Sequence, residues 1–129
     1  MLNPTTALTL LSLAVGTVSA ITRGVDLYSA TADFSCIKNA GYDFAIQRSW
    51  HSFGGMDTAA VPNIKKAREA GIKYVDVYMF PCRAKSASDQ VASMIKNLET
   101  ADYGMVWLDI ETNPSTGCGW DQYTSANNC

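Results

Sequence analysis

The sequence predicts an α/β fold built around a parallel β-sheet. From residue 24 onward, short stretches rich in aliphatic and aromatic residues alternate with amphipathic ones. This alternation is typical of βαβ units, in which a helix connects two parallel strands. The chain has 129 residues, of which 47% are hydrophobic and 17% charged, as expected of a globular domain. Because no internal repeat or linker interrupts the pattern, we expect one domain.

Four strands and three helices are predicted in alternation. The strands are expected at residues 24–29, 42–50, 72–80 and 105–111. The helices are expected at residues 33–41, 58–71 and 86–100. The last helix carries apolar residues with the spacing i, i+3, i+4, i+7, which is the pattern of an amphipathic helix: Val91, Met94, Ile95 and Leu98. Gly71 is placed to end the second helix, since glycine readily adopts the backbone conformation found there.

The charge of the chain gives no reason to expect nucleic acid as a partner. The formal net charge is −2, and the pI is near 5.2. The one basic cluster, "NIKKAR" at residues 63–68, is interpreted as the solvated face of a helix.

The first twenty residues have the features of a secretory signal. Residues 6–18 are apolar and uncharged, and Val18, Ser19 and Ala20 match the small-residue pattern of a cleavage site. The apolar run is short for a membrane span, which needs about 20 residues. We therefore predict a signal peptide at residues 1–20 with cleavage after Ala20; an uncleaved anchor is the alternative. The mature protein would be secreted, or sorted to a lysosomal or vacuolar lumen, without membrane association.

The four cysteines agree with export. All of them follow the predicted cleavage site, and an even number suits an oxidising compartment. Cys118 and Cys129 bracket a short polar loop and are the expected local pair, which would leave Cys36 to pair with Cys82, although four cysteines permit three pairings. No CxxC spacing occurs and His51 is the only histidine, so no metal site is predicted.

Carboxylates recur near the ends of the predicted strands. Asp26 lies on the first strand, Asp76 on the third, and Asp109 and Glu111 on the fourth. Tyr78 lies two residues after Asp76, nearer the end of the third strand. In parallel α/β folds, ligands bind at the carboxyl ends of the strands. On a strand, alternate side chains share a face, so Trp107 would accompany the last two carboxylates. An acidic, aromatic cleft is therefore expected.

Such a cleft suits the hydrolysis of glycosidic bonds. One carboxylic acid protonates the departing oxygen, while a second group stabilises or attacks the cationic sugar centre. Two adjacent carboxylates also raise each other's pKa, so that one can remain an acid near neutral pH. The rings of Tyr28, Tyr78 and Trp107 offer platforms for sugars, and Arg48 is the obvious inward-facing cation.

The chain also resembles a known family. The segments that carry the resemblance are "RGVDLYS" (23–29), "IKNAGYDFAIQRSW" (37–50), "AREAGIKYVDVYMFPC" (67–82) and "VWLDIETNP" (106–114). In this order they resemble the secreted eukaryotic branch of glycoside hydrolase family 25, the Chalaropsis-type lysozymes. The resemblance implies a TIM-like (β/α)-barrel that cleaves the β-1,4 bond between N-acetylmuramic acid and N-acetylglucosamine in bacterial peptidoglycan, without a cofactor.

The resemblance also implies roles for individual residues. Glu111 would be the catalytic acid/base, Asp109 its partner, and Asp26 the further acidic residue of the site. Tyr78 would contact substrate, and Tyr28, Arg48 and Trp107 are the other candidates for substrate binding.

The length of the chain departs from the family pattern. A family barrel needs eight strands, and four are predicted here, so residues 21–129 are expected to form a half barrel, the N-terminal part of a truncated catalytic domain. A half barrel would expose two sheet edges, which proteins usually avoid. Pairing of two half barrels is the alternative, and the oligomeric state stays open.

Two other functions are compatible with the same residues. The chain could be a secreted carbohydrate-binding fragment without activity. It could also be a metal-dependent phosphodiesterase in which Asp26, Asp109 and Glu111 bind Mg²⁺ or Ca²⁺. The single histidine disfavours the second alternative, because such enzymes usually use histidines as acid and base.

Overall fold

The computed structural model describes residues 22–128, without the side chain of Asn128. The predicted signal peptide and its cleavage after Ala20 lie outside this range, as does Cys129. The strands are β1 (Gly24–Leu27), β2 (Phe44–His51), β3 (Gly55–Met56), β4 (Tyr74–Met79) and β5 (Val106–Leu108). The helices are α1 (Ser35–Asn39), α2 (Ala60–Glu69), α3 (Ala87–Asn97) and α4 (Ser125–Asn128).

The sheet has the order β1-β2-β4-β5, and every neighbouring pair in this path is parallel. The predicted α/β class with a parallel sheet is therefore confirmed. The unpredicted strand β3 pairs antiparallel with the end of β2, with Trp50 opposite Met56. The turn between them places Gly54 at a φ of 75°, a conformation that glycine adopts without strain.

One face of the sheet packs against the helices and forms the core. Val75 and Val77 of β4 are 1% and 0% exposed, and they belong to one cluster with Ile64 of α2 and Met94 of α3. The buried positions of α2 follow helical spacing: Ala60, Asn63, Ile64 and Ala67. Hydrophobic burial on this face fixes which residues of each strand point away from it.

The other face of the sheet is covered by no helix of the described chain. Phe44 and Ile46 of β2, Tyr74 of β4, and Met105 and Trp107 beside or on β5 line an open cavity of about 710 Å³ here. Gly24 lies under Phe44, and a Cβ at this glycine would fall 1.9 Å from the phenyl ring. This surface is called the inner face below.

The last strand is much more exposed than the others. Val106 and Leu108 of β5 are 40% and 64% exposed, although β5 pairs with the buried strand β4. No strand of the described chain continues the sheet beyond β5. An apolar edge strand of this kind offers unpaired backbone groups and hydrophobic surface to any further strand.

The core contains one buried polar network. Asn63 donates from Nδ2 to Oε1 of Gln47 (2.6 Å) and to the carbonyl of Ser29 (2.8 Å), and its Oδ1 accepts from the amide of Thr31 (3.0 Å). Both Gln47 and Asn63 are 1% exposed. The network ties the loop after β1 to α2 and β2, so it supports the carboxyl end of β1.

The disulfide joins Cys82 to Cys118. The expected pairs, Cys118 with Cys129 and Cys36 with Cys82, are therefore wrong. Cys36 is exposed at the start of α1 and forms no disulfide within the described residues. Proximity along the sequence suggested the local pair, but the loops after β4 and β5 leave the same edge of the sheet and bring Cys82 and Cys118 together. No helix within residues 22–128 is long and apolar enough to cross a membrane.

Replacing Asn63 by alanine should destabilise the fold by about 2 kcal/mol, because the substitution leaves Gln47 and the Thr31 amide without their buried partner. Urea denaturation of Asn63→Ala beside the parent measures the difference. Asn39→Ala, at an exposed position that ends α1, is the matched control and should change stability little. Equal losses in both variants would contradict a structural role for this network.

The disulfide predicts a specific peptide map. Digestion without reduction should release a peptide pair that joins Cys82 to Cys118, and reduction should separate the two. Mass spectrometry of the oxidatively folded chain makes the measurement. A peptide that links Cys118 to Cys129 would contradict the structure.

Candidate active site

The carboxyl ends of the strands bring four polar side chains to one cleft. Asp26 comes from β1, Tyr78 from β4, and Asp109 and Glu111 from the segment after β5. Together with the side chains of Ile46, Trp107 and Leu108 they line a cavity of about 340 Å³. The structure therefore brings the acidic residues that were predicted to share a cleft, Asp26, Asp109 and Glu111, into the lining of one cavity.

Asp109 and Glu111 reach the cleft differently from the prediction. The strand that was expected at residues 105–111 ends at Leu108, so neither carboxylate is on a strand. The amide of Asp109 still donates to the carbonyl of Met79 (2.9 Å), which extends the pairing with β4 by one hydrogen bond. The chain then becomes irregular, and Glu111 lies on a loop.

Trp107 lies on the inner face beside these carboxylates. Its indole Nε1 donates to Oδ2 of Asp76 (2.9 Å), and Oδ1 of Asp76 accepts from the amide of Met105 (2.9 Å). These bonds hold the ring, which is 47% exposed, at the border between the acidic cleft and the larger apolar cavity. Asp76 therefore supports Trp107 and is not among the side chains that line the acidic cleft.

The crowding of carboxylates changes their acidity. Burial raises the pKa of Asp109 above its usual value, and the charge of Glu111, the charge of Asp26 and a hydrogen bond with Glu111 raise it further. Burial likewise raises the pKa of Asp26, where the Arg48 guanidinium opposes the shift and Glu111 adds to it. The cleft therefore binds protons more tightly than separate carboxylates would.

Tyr78 remains a neutral hydroxyl at physiological pH. Burial raises its pKa to about 12, and the neighbouring charge of Asp26 contributes in the same direction. A phenol that stays protonated can donate a hydrogen bond to an oxygen in the cleft.

Arg48 is held by a partner that sequence reasoning missed. Its Nε donates to Oδ2 of Asp57 at 2.8 Å, and Asp57 is 4% exposed. The other carboxylate oxygen of Asp57 accepts from the amide of Ala59 at 2.9 Å, just before α2 begins. Aspartate is common just before a helix, so Asp57 stands out in front of the predicted helix, but nothing in the local sequence indicates that it binds Arg48.

Arg48 in turn fixes the loop that follows β1. Its Nη2 donates to the carbonyl of Tyr28 (2.7 Å), and its guanidinium lies 5.6 Å from the centre of the Tyr28 ring. The ring is 67% exposed and does not line the acidic cleft. His51 also lies outside the cleft lining, stacked on Phe53 with 4.8 Å between ring centres.

A family model described as "Lysozyme-like protein 1" matches residues 17–128. Similar proteins include a "Probable GH family 25 lysozyme 2" from Dictyostelium discoideum, 50% identical over 99 residues. The chain belongs to the lysozyme-like proteins of glycoside hydrolase family 25. A "Lysozyme-like protein 5" from Caenorhabditis elegans is 45% identical over 101 residues. The resemblance expected from the sequence motifs is thereby confirmed.

The match covers different shares of the two chains. Each of these two alignments includes 73% of this chain, but 46% of the Dictyostelium protein and 47% of the Caenorhabditis protein. The chain thus spans about half the length of these relatives. No solved structure matches it. Within residues 22–128, no group of three or more histidine, cysteine, aspartate or glutamate side chains is arranged to hold a metal ion.

The raised pKa of Asp109 predicts a pH-dependent gain in stability on its removal. Between the ordinary value of 3.8 and the raised value, the folded state binds more protons than the unfolded state, so stability falls as pH rises through this window. Asp109→Asn removes this penalty. Its melting temperature should exceed that of the parent at pH 7 and equal it below pH ~3, where the carboxyl is protonated in both states.

Thermal unfolding by circular dichroism at both pH values makes the comparison. Glu99→Gln is the matched control, because Glu99 is an exposed carboxylate just beyond α3 and away from the cleft. A gain for Asp109→Asn that is equally large at low pH would show that charge is not its cause.

Proposed function

We propose that this chain contributes the catalytic cleft of a lysozyme that hydrolyses the β-1,4 bond between N-acetylmuramic acid and N-acetylglucosamine in bacterial peptidoglycan. One observation carries the proposal: Asp26, Tyr78, Asp109 and Glu111 come from three segments of the sheet edge and line one cleft. Family membership supports the same reaction class, since relatives at 50% and 43% identity carry the name GH family 25 lysozyme.

Glu111 is the proposed acid/base. It is exposed at the cleft, while Asp109 is half-buried and has its pKa raised by the charge of Glu111 and by a hydrogen bond with it. Because Glu111 faces the open cleft, it is the carboxyl that protonates the glycosidic oxygen as the bond breaks. In their ionised forms, Asp109 and Asp26 stabilise the positive charge that develops on the sugar.

The remaining polar and aromatic residues hold the substrate. The Tyr78 hydroxyl donates to a sugar oxygen, and the exposed ring of Trp107 packs against a sugar ring. Tyr28 extends the binding surface at the rim, where the Arg48 side chain fixes its backbone. Because Arg48 is bonded to Asp57 and to Tyr28, it acts by holding this rim and by lowering the pKa of Asp26.

The proposed architecture is the first half of a TIM-like (β/α)-barrel, with residues 21–129 as the N-terminal part of the catalytic domain. Four parallel strands with an uncovered apolar inner face support this arrangement, because a barrel buries that face inside the ring of strands. The length of the relatives, about twice that of the aligned segment, supports it too. Secretion through a signal peptide at residues 1–20 is part of the same proposal, and the Cys82–Cys118 disulfide supports it.

A second candidate function is carbohydrate binding without hydrolysis. The exposed rings of Tyr28 (67%) and Trp107 (47%) favour it, because they could bind sugar even where the catalytic cleft is incomplete. The two functions predict different results for a Glu111 variant. A lysozyme would lose hydrolysis of peptidoglycan, whereas a binding protein would show no hydrolysis before or after the substitution.

Hydrolysis of purified peptidoglycan tests the proposal. The oxidatively folded chain should release reducing ends, and Glu111→Gln should release at least 100-fold fewer, since the amide cannot transfer a proton as an acid/base of this kind typically does. Binding to insoluble peptidoglycan, measured by co-sedimentation, should be the same for both. Glu99→Gln is the control for loss of one exposed carboxylate and should match the parent.

Two outcomes would contradict the assignment. Equal release by the parent and Glu111→Gln would remove Glu111 from the acid/base role. Binding by both proteins with no release from either would favour the carbohydrate-binding function for this chain.

A further inference from the structure

The position of Glu111 is not set by regular secondary structure. Strand β5 ends at Leu108, and the last hydrogen bond that links this strand to β4 is donated by the amide of Asp109. Residues 110–114 form neither helix nor strand. A catalytic acid must stay within a fraction of an ångström of its productive position, so this loop needs an anchor on its far side as well.

The side chain of Asn113 provides that anchor. Its Nδ2 donates to the carbonyl of Ser52 (2.9 Å), in the loop after β2, and to the carbonyl of Pro81 (3.1 Å), in the loop after β4. Its Oδ1 accepts from the amide of Ser115 (2.8 Å). An asparagine amide has two N–H donors and one carbonyl, and all of these groups are used here.

Two further links hold the same segment to the same two loops. The hydroxyls of Ser52 and Ser115 are 2.8 Å apart, and the disulfide joins Cys118 to Cys82. Asn113 is the link nearest to Glu111. Along the sequence, Glu111 therefore lies midway between two fixed points. These are the backbone of Asp109, two residues before it, and the side chain of Asn113, two residues after it.

We propose that Asn113 is a positioning residue: by bridging the loops after β2 and β4, its side-chain amide holds Glu111 against Asp109 in the cleft. The importance of this position for catalysis rests on the proposed function, whereas the geometric effect does not. No other described side chain joins the loop of Glu111 to both neighbouring loops, so Asn113 carries a role that the acidic motif alone does not reveal.

The geometric effect can be measured without any activity. After burial, the charge of Glu111 is the largest cause of the raised pKa of Asp109; the charge of Asp26 comes next, and a hydrogen bond with Glu111 adds the smallest part. If Asn113→Ala releases Glu111, the pKa of Asp109 should fall toward its usual value but stay above it, because burial remains. Carbon-13 NMR titration of the aspartate carboxyls in the oxidised chain reports this change directly.

Asn97→Ala is the matched control. The Nδ2 of Asn97 also donates to a backbone carbonyl, that of Ser93 (2.7 Å), but within α3 and away from the cleft. This variant should leave the Asp109 titration unchanged. Where Asn113→Ala fails to fold by circular dichroism, Asn113→Ser keeps one hydroxyl donor in place of two N–H groups and should show a smaller shift in the same direction.

Hydrolysis kinetics add a second readout. Misplacement of a catalytic group by about 1 Å costs roughly 100-fold, so kcat of Asn113→Ala should fall about 10- to 100-fold with little change in KM. An unchanged Asp109 titration in a folded Asn113→Ala would overturn the positioning role. Absence of hydrolysis in the parent would instead count against the proposed function, and the titration would still decide the role of Asn113.

Discussion

The parallel pairing of β2 with β4 is the constraint on which the rest of the structure depends. The two strands are in register from Phe44 opposite Tyr74 to Arg48 opposite Tyr78, and the register shifts before Trp50. This pairing commits Ala45, Gln47 and the valines of β4 to the helical face, and Ile46, Arg48 and Tyr78 to the inner face. Slippage by one residue would exchange the two faces, so both the core and the cleft follow from it.

The same geometry concentrates negative charge where the strands end. Burial and mutual repulsion raise the pKa values of Asp26 and Asp109, which means that the ionised cleft opposes folding near neutral pH. The surrounding structure supplies cations and donors that limit this cost, chiefly the Arg48 guanidinium held by Asp57. A destabilising cluster that the fold supports on several sides is characteristic of functional sites.

Local patterns in the sequence were enough to predict the alternation of strands and helices. Apolar stretches such as "IKYVDVYMF" and the helical spacing around Met94 depend on neighbours within a few residues, so they can be interpreted without knowledge of the fold. The rule that ligands bind at the carboxyl ends of parallel strands then brought Asp26, Tyr78, Asp109 and Glu111 together correctly.

The predictions failed where distant segments decide the outcome. The end of β5 at Leu108, the partner of Cys118 and the role of Asp57 each depend on contacts across the sheet edge.

The sequence by itself determined the class of the fold, the family and the acidic residues of the cleft, because periodicity, short motifs and residue chemistry are local properties. The tertiary structure decided how those residues are held. Arg48 is bonded to Asp57 and to the loop of Tyr28, Trp107 to Asp76, and the loop of Glu111 to two others through Asn113 and a disulfide. These partners lie between 9 and 61 residues apart along the chain and meet because parallel strands align their carboxyl ends at one edge. No local pattern contains that information.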